Sequence, residues 1–280
     1  MKIINTPSEM KDYGAKVRAD KKTLALVPTM GALHAGHLSL IKKAKECADI
    51  CVVSIFVNPT QFGPNEDFEK YPRQAEKDIL AAESAGADAV FLPKTSDMYF
   101  EDSSTFVEEE SISKDLCGKS RPKHFRGVTT VVCKLFNIAK PDFAVFGEKD
   151  AQQVSVIKRM VRDLFMDVKI VRAPLFRDEN GLAMSSRNAY MDSVQKKEAL
   201  MLNKSLLKGK ELVEKGCTNV DRVIAEITNC LSKSSKIRVI YVKAVDAETS
   251  VPVAKIESGK TRICMAVWLD NTRLIDNMVM

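Results

Sequence analysis

The sequence predicts an α/β protein in which a Rossmann-like, doubly wound parallel sheet is followed by a smaller α+β domain. Short β-branched, apolar runs alternate with longer amphipathic stretches through the first two thirds of the chain, as strands alternate with crossover helices in such a sheet. After Pro174 this alternation stops, and helix-like segments precede a final set of strand-like ones. We therefore expect two domains, residues 1–175 and residues 176–280.

The elements expected in the first domain follow in strict turn. Buried strands are expected at TLALV (23–27), ICVVSIFV (50–57), DAVFL (88–92), DFAVFG (142–147) and VKIVRAP (168–174). Helices are expected at HLSLIKKAKECA (37–48), PRQAEKDILAAESAG (72–86), VTTVVCKLFNIAK (128–140) and AQQVSVIKRMVRDLF (151–165). In an open parallel sheet of this kind, ligands bind beyond the carboxyl ends of the strands.

The second domain begins with the polar loop RDENGLAMSSRN (177–188), and its order of elements is different. Helices are expected near 193–215 and 219–232, and strands at IRVIYVKAVDA (237–247) and TRICMAVWLD (261–270), before the tail RLIDNMVM (273–280). The chain has no internal repeat and no low-complexity segment.

Composition and charge narrow the class of ligand. Hydrophobic residues make up 45% of the chain and charged residues 29%, which is typical of a globular protein. The net charge of +6 arises from 43 basic and 37 acidic residues spread along the chain. Such a diffuse excess favours an anionic small ligand over nucleic acid.

The cysteine pattern and the length of the apolar runs indicate where in the cell the protein is located. The 7 cysteines are an odd number without a C-x-x-C pair, so we expect reduced thiols in the core. The N-terminus lacks an apolar signal core, and the longest apolar run, residues 50–57, is too short to span a bilayer. We expect a cytoplasmic protein without a membrane partner.

Two of the 3 histidines, His34 and His37, lie in the stretch VPTMGALHAGHLSLI (27–41), beside Gly31 and Gly36. The glycines allow the backbone to approach a ligand closely, and the helix expected from His37 offers N–H groups and a partial positive charge to phosphate. The histidines can donate further hydrogen bonds to phosphate oxygens. The alternative is a pair of structural histidines beside a tight turn, while zinc lacks further ligands at suitable spacing.

Polar side chains follow two other expected strands. Asn58 and Gln61 come directly after the second strand, and carboxamides there suit a substrate rich in hydroxyl and carboxylate groups, or cap the turn at Pro59. Lys149 and Asp150 follow the fourth strand, and Gln153 lies in the first turn of the next helix. Three polar strand ends together indicate a ligand site.

The loop GLAMSSRN adds two hydroxyls and Arg187 between the expected domains. Hydroxyls, backbone N–H groups and a guanidinium can together neutralise a leaving pyrophosphate. The alternative is a solvated linker.

Five segments in order, PTMGALHAGH, IFVNPTQF, RPKHFRGVTTVVCKLFN, FGEKDAQQ and RDENGLAMSSRN, resemble the pantothenate synthetase (pantoate–β-alanine ligase) family over nearly the whole chain. The first and last resemble the HIGH and KMSKS signatures of the nucleotidyltransferase superfamily. The resemblance implies an AMP-forming carbon–nitrogen ligase that joins (R)-pantoate to β-alanine with ATP, through a pantoyl-adenylate, with release of AMP and pyrophosphate in pantothenate biosynthesis.

The resemblance also implies roles for particular residues. It places ATP-binding residues at Met30, Gly31, Ala32, Leu33, His34, Ala35, Gly36, His37, Gly147, Glu148, Lys149, Asp150, Phe176, Met184, Ser185, Ser186 and Arg187. It places pantoate and β-alanine ligands at Gln61, Asn58 and Gln153, and catalytic groups at His37, His34, Lys149, Ser185 and Arg187. In this interpretation His37 is the proton donor.

Two positions depart from the family pattern. Ala151 stands where an aromatic residue is common, and Phe176 stands where a smaller apolar residue usually meets adenine through its backbone. We expect altered packing at both positions and intact chemistry. His124, with Arg121 in RPKHF, is interpreted as an ordering or substrate-side residue without a catalytic role.

The resemblance further implies Mg²⁺ bridging the phosphates of ATP, with protein ligands left open, and a homodimer. Because the loop 177–188 begins the second domain, closure of that domain is expected to bring Ser185 and Arg187 onto ATP.

Two other functions remain open at this stage. One is a related enzyme that transfers AMP or CMP to an acceptor phosphate, although the polar residues Asn58 and Gln61 suit neutral and carboxylate groups better. The other is a nucleotide sensor or RNA-binding module, although the chain lacks a basic stripe with interleaved aromatic residues.

Overall fold

The computed structural model describes residues 1–64 and 66–280, which divide into two compact units. Unit 1 comprises Met1–Glu110, Arg121–Glu148 and Val156–Pro174. Unit 2 comprises Ser111–Ser120, Lys149–Ser155 and Leu175–Met280.

Unit 1 is built on a parallel sheet, which confirms the fold class predicted from the alternating pattern. The strands are β1 (Lys2–Ile4), β2 (Leu24–Thr29), β3 (Ile50–Ile55), β4 (Ala89–Phe91), β5 (Phe143–Gly147) and β6 (Lys169–Ala173). Their order across the sheet is β1-β4-β3-β2-β5-β6, with neighbouring strands parallel. The chain leaves β2 toward β3 on one side and returns to β5 on the other, so the topological switch point lies between β2 and β5.

The helices have the following bounds. They are α1 (Pro7–Ala19), α2 (Ala35–Cys47), α3 (Ala75–Ser84), α4 (Thr95–Met98), α5 (Cys117–Ser120), α6 (His124–Ala139), α7 (Ala151–Asp163), α8 (Ser193–Glu214) and α9 (Val220–Leu231).

The core of unit 1 explains why the central strands are apolar on both faces. Val27, Val53 and Val145 project from neighbouring strands and pack with Ile41 and Ala44 of α2 in one buried cluster. Alternate residues such as Leu26 and Val52 are also fully buried, because the opposite face of the sheet is covered as well. This packing fixes the start of α2 close to the end of β2.

Several elements were not expected from the sequence pattern. Strand β1 is only three residues long, and α1 begins at a capping box in which Thr6 and Glu9 bond to each other's backbone N–H groups. Helix α6 begins at His124, four residues before the predicted start, because Gly127 packs inside the helix and does not break it. The C-terminal tail also forms a strand, β9 (Thr272–Val279).

Unit 2 contains an antiparallel sheet with the order β7-β8-β9, as expected for an α+β arrangement. The strands are β7 (Ile237–Asp246), β8 (Thr261–Leu269) and β9 (Thr272–Val279). Helices α8 and α9 supply Leu206, Ile227 and Leu231 to a buried cluster shared with Ile263 and Leu274 of the sheet.

The cysteines match the expected core thiols only in part. All seven are free thiols, but only Cys51 and Cys264 are buried, and the other five are half-buried. Burial raises the pKa of both buried thiols to about 12, so these two remain protonated near neutral pH. Among residues 1–64 and 66–280, every helix is too short or too polar to traverse a bilayer.

Candidate active site

The chain makes a left-handed turn directly after β2. Gly31 has a φ of 82° and Ala32 a φ of 51°. A Cβ atom on Gly31 would lie 2.8 Å from Oδ2 of Asp78, so the turn requires glycine for both its conformation and its space. Ala32 adopts the left-handed region with a side chain, which costs about 1–2 kcal/mol. The turn therefore needs support from elsewhere in the fold.

Asp78 of α3 supplies that support. Its carboxylate accepts hydrogen bonds from the backbone N–H groups of Ala32 at 2.9 Å and Leu33 at 2.8 Å. Asp78 is only 2% exposed, so these bonds form away from competing water. Sequence reasoning missed this residue, although a charge four positions before buried Ala82, on the inward face of a helix, was an available signal.

His34 and His37 lie at the N-terminus of α2, and His34 is its N-cap. The N–H of Gly36 donates to Nδ1 of His34 at 3.2 Å, and the N–H of His34 donates to Nδ1 of His37 at 3.3 Å. Because each Nδ1 accepts a hydrogen bond, the ring proton of each neutral imidazole resides on Nε2. The ring centroids are 4.1 Å apart, so the two rings lie side by side at the start of α2. Each ring adds an Nε2–H donor to the backbone N–H groups of the helix N-terminus.

Asn58 caps the 3₁₀ turn Pro59–Gln61 that follows β3, and Gln61 is the last residue of that turn. Nδ2 of Asn58 donates to Oε1 of Gln61 at 3.1 Å and to the carbonyl of Gly127 at 3.1 Å. Oδ1 of Asn58 accepts from the hydroxyl of Tyr99 at 2.9 Å. Asn58 is 1% exposed, and these bonds make it the residue that orients the carboxamide of Gln61. Nε2 of Gln61 in turn contacts Sδ of Met30 at 2.9 Å.

The backbone of Gln61 is held by His124 and Arg121. Nδ1 of His124 donates to the Gln61 carbonyl at 2.8 Å, and a guanidinium N–H of Arg121 donates to the same oxygen at 3.3 Å. Another N–H of Arg121 lies 2.9 Å from Nε2 of His124. Arginine is only a donor, so Nε2 accepts and the imidazole is neutral. This contact network agrees with the ordering role predicted for His124.

Glu66 completes this network. Its carboxylate forms two hydrogen bonds with Arg121, at 2.6 Å and 2.5 Å. Burial acts to raise the pKa of Glu66, but the hydrogen bonds and charge of Arg121 outweigh it and hold that pKa below its ordinary value. The pair keeps Arg121 oriented toward Gln61.

Close backbone packing brings α6 against the same turn. A Cβ atom added at Gly127 would lie 2.6 Å from Cα of Gln61, and it would also collide with the carbonyl of Thr60. Only glycine allows this approach.

A cleft of about 360 Å³ opens beside these groups in unit 1. Its lining includes Met30, Ile55, Phe56, Asp78, Arg73 and Lys94. The guanidinium of Arg73 donates to backbone carbonyls of Phe68 and Tyr71. Apolar side chains line the cleft together with two cations, Arg73 and Lys94, and the buried carboxylate of Asp78.

Strand β5 ends at Gly147 on the other side of the switch point, and Glu148 begins the 3₁₀ turn Glu148–Asp150 that follows it. Glu148 pairs with Arg172 of β6, with 3.7 Å between Oε1 and Nη1. The ends of β2 and β5 thus flank the position where a Rossmann-like sheet binds its ligand.

The remaining predicted residues lie in unit 2. Lys149 and Asp150 form a 3₁₀ turn before α7, and half-buried Gln153 lies in the first turn of that helix. The backbone carbonyl of Lys149 accepts a hydrogen bond from Nδ2 of Asn277 at 3.1 Å.

Phe176 and Met184–Arg187 belong to a hairpin and its exit. Arg177 and Ala183 form an antiparallel bridge, and the N–H of Met184 donates to the carbonyl of Phe176 at 3.0 Å. Oγ of Ser185 accepts from the N–H of Arg187 at 3.3 Å and begins the 3₁₀ turn Ser186–Tyr190. Phe176 is 43% exposed.

The structure thus gathers the predicted residues into two sets. Unit 1 holds Met30 to His37, Asn58, Gln61, Gly147 and Glu148, and unit 2 holds Lys149, Asp150, Gln153, Phe176 and Met184 to Arg187. In the described ranges 1–64 and 66–280, His, Cys, Asp and Glu side chains do not gather in groups of three or more that could hold a metal ion.

Comparison with known proteins gives one consistent result. Residues 2–279 match the family model described as pantoate-beta-alanine ligase. The pantothenate synthetase of Thermotoga petrophila is 51% identical over 280 residues, which is 100% of both chains. That of Fervidobacterium nodosum is 51% identical over 279 residues, covering 100% of this chain and 99% of its own.

Solved structures agree in fold. The crystal structure of pantothenate synthetase from Thermus thermophilus has a TM-score of 0.93 and 38% identity, over 100% of this chain and 99% of that one. A pantoate-beta-alanine ligase from Francisella tularensis, complexed with beta-gamma ATP and beta-alanine, has a TM-score of 0.82 and 35% identity, over 100% and 97%. On the full-length sequence matches and these shared folds, the chain belongs to the pantoate–β-alanine ligase family of enzymes.

Proposed function

We propose that this ligase condenses (R)-pantoate with β-alanine to form pantothenate, through a pantoyl-adenylate, and releases AMP and pyrophosphate from ATP. The observation that carries the proposal is the pair of Nε2 donors of His34 and His37 at the N-terminus of α2. That arrangement of donors fits a polyphosphate.

The proposed chemistry proceeds in two displacements. A carboxylate oxygen of pantoate attacks the α-phosphorus of ATP, the new P–O bond forms, and the bond to the β-phosphate oxygen breaks to release pyrophosphate. The amine of β-alanine then attacks the acyl carbon, the C–N bond forms, and the C–O bond to AMP breaks while the nitrogen loses a proton. Neither displacement requires a nucleophile from the protein, so positioning and charge stabilisation carry the catalysis.

The two histidines are proposed to act in the first displacement. Negative charge grows on the bridging oxygen as pyrophosphate leaves, and Nε2–H groups of His34 and His37 are donors of the kind that stabilise it. The turn held by Asp78 keeps their donors oriented before ATP arrives, so little reorganisation is needed at the moment of reaction.

Gln61 is proposed to bind both pantoate and β-alanine. Its backbone carbonyl is fixed by His124 and Arg121, and its carboxamide is oriented by Asn58. A residue fixed at both ends discriminates between substrates better than a mobile one, because its donors and acceptors cannot turn to suit another ligand.

Lys149, Ser185 and Arg187 are proposed to bind the transferring phosphates, and the backbone near Phe176 the adenine. Lys149 and Arg187 provide positive charge, and the hydroxyl of Ser185 provides a further hydrogen bond. On the family resemblance, ATP is proposed to bind as its magnesium complex, with Mg²⁺ bound through phosphates and water. On the family resemblance we also propose a homodimer, which analytical ultracentrifugation can test.

The decisive experiment measures pyrophosphate release from ATP and Mg²⁺ by the purified protein, with pantoate, β-alanine, both or neither. AMP and pantothenate are followed by mass spectrometry. We expect both products in equal amounts only when both substrates are present. ATP binding without pyrophosphate release under every condition would overturn the proposal.

A further inference from the structure

Strand β9 carries two consecutive polar residues, Asp276 and Asn277, that are 3% and 5% exposed. Neighbouring residues of a strand project to opposite faces, so burial of both means that both faces of β9 are covered here. Buried polar side chains are costly unless their hydrogen bonds are satisfied. The partners of these two residues therefore indicate why the chain places them there.

Asp276 binds the hairpin that leads to Ser185 and Arg187. The guanidinium of Arg177 donates two hydrogen bonds to the Asp276 carboxylate, at 2.7 Å and 2.8 Å, in a bidentate pair. The same guanidinium donates to the carbonyl of Gly181 at 3.0 Å, across the hairpin. One ion pair thus attaches the base of the hairpin to β9.

The charge on Asp276 depends on this pair. Burial raises the pKa of Asp276 above its ordinary value, although the hydrogen bonds and charge of Arg177 and the charge of Lys149 act in the opposite direction. Removal of one member of a buried pair leaves the other as an uncompensated charge. The pair therefore resists separation of the hairpin from the strand.

Asn277 binds the second segment, the turn that contains Lys149. Oδ1 of Asn277 accepts from the guanidinium of Arg262 at 2.5 Å, and Nδ2 donates to the Lys149 carbonyl at 3.1 Å. Arginine cannot accept a hydrogen bond, so the Arg262 contact determines which end of the carboxamide faces Lys149. The orientation of the Asn277 side chain is therefore fixed by its hydrogen bonds.

Adjacent residues of one strand thus hold two separate segments, and both segments carry phosphate-binding residues in the proposed function. We infer that Asp276 and Asn277 are positioning residues. They hold Lys149 and the Ser185–Arg187 segment in fixed positions relative to each other, so that both can bind the triphosphate. This inference rests on the proposed function for its kinetic consequence. Its structural consequence, that β9 restricts the motion of the two segments, does not depend on the proposed function.

Three variants of the full-length protein test the inference. Asp276→Asn keeps the size of the side chain and removes the charge that faces Arg177. Asn277→Asp keeps the acceptor for Arg262 and removes the donor to Lys149. Ile227→Val, in the buried core of the same unit, is the matched control for a general loss of stability. Arg177→Lys replaces Asp276→Asn if that variant does not fold.

The first measurement is hydrogen exchange of backbone amides without substrates. We expect faster exchange in peptides covering 176–187 for Asp276→Asn and in peptides covering 148–152 for Asn277→Asp, with both regions unchanged in Ile227→Val. The second measurement is steady-state kinetics. We expect kcat to fall roughly 100-fold in each of the two strand variants, the scale of a small misplacement, with the KM for pantoate unchanged.

The outcomes are distinguishable. Exchange and turnover that match Ile227→Val in both strand variants would overturn the positioning role. A wild-type protein that forms no pantothenate would overturn the proposed function, while the exchange measurement would still decide whether β9 orders the two segments.

Discussion

His124 donates a hydrogen bond from Nδ1 to the backbone carbonyl of Gln61 at 2.8 Å, and this contact joins the start of α6 to the turn after β3. Because Nε2 accepts from Arg121, the imidazole is neutral and both of its nitrogens are engaged. The geometry makes His124 a positioning residue for Gln61.

Replacement of His124 tests that role. His124→Ala leaves the Gln61 carbonyl and an N–H of Arg121 with fewer partners in a buried region, so we expect the free energy of unfolding to fall by about 1–3 kcal/mol. We also expect a higher KM for β-alanine. His124→Asn retains an N–H near the position of Nδ1 and is expected to recover part of both losses. Equal KM values in wild type and His124→Ala would contradict the role.

Gly127 offers a steric test of the same region. Gly127→Ala places a Cβ atom 2.6 Å from Cα of Gln61, so either α6 or the turn must move. We expect a loss of about 1–3 kcal/mol in unfolding free energy, measured by denaturant titration, and reduced turnover. Gly63→Ala is the control, since its Cβ would meet only Glu66, at an ordinary 3.6 Å. A wild-type rate in Gly127→Ala would show that the turn tolerates displacement.

Asp78 supports the turn before His34, and we expect Asp78→Asn to weaken ATP binding. The Asp78 carboxylate accepts hydrogen bonds from two backbone N–H groups, those of Ala32 and Leu33. Asparagine replaces one of its two acceptor oxygens with an NH₂ group, which repels the N–H group that it faces. We expect the KM for ATP to rise roughly tenfold, which corresponds to about 1.4 kcal/mol. The exposed residue Glu76 of the same helix provides the control Glu76→Gln. An unchanged KM for ATP in Asp78→Asn would remove the turn from the binding argument.

His37 is the proposed donor to the leaving pyrophosphate. His37→Ala is expected to lower kcat by about 100-fold or more, the scale for losing one preorganised donor. His37→Gln places an amide nitrogen near the position of Nε2 and is expected to retain part of the rate. Lys43→Ala, which removes a partly exposed side chain that pairs with Glu46 on the same helix, controls for changes in α2. Near-normal kcat in His37→Ala would exclude His37 from the chemistry.

Residues close in sequence to the strand ends could be predicted from the pattern, and their long-range partners could not. His34 and His37 interact within one turn of chain, so a motif of four residues already contained their geometry. Asp78 contacts a residue 45 positions away, and His124 contacts one 63 positions away. Those pairings depend on the packing of α3 and α6 against the sheet, which hydrophobic periodicity does not encode.

The tail illustrates the same limit. Asn277 bonds to Lys149 across 128 positions, and the run RLIDNMVM gave no reason to place a polar pair inside the fold. Its polar residues, Asp276 and Asn277, interrupt the apolar pattern that marks a buried strand. The fold class and the proximity of His34 to His37 were therefore predictable, whereas the residues that orient Gln61 and the turn after β2 emerged only from the tertiary structure.

Glu66 makes the Arg121 network sensitive to acid. The folded protein holds the pKa of Glu66 below its ordinary value of 4.5, so the folded state binds fewer protons there than the unfolded chain. The stabilisation is therefore present above about pH 4.5 and is lost as the pH falls through the lower pKa of the folded state. We expect the unfolding free energy of wild type to fall more steeply below pH 4.5 than that of Glu66→Gln, measured by urea titration at successive pH values. Glu69→Gln, at an exposed position of the same loop, should retain the wild-type slope. Parallel curves for wild type and Glu66→Gln would mean that the Glu66–Arg121 pair adds no stability to the folded protein.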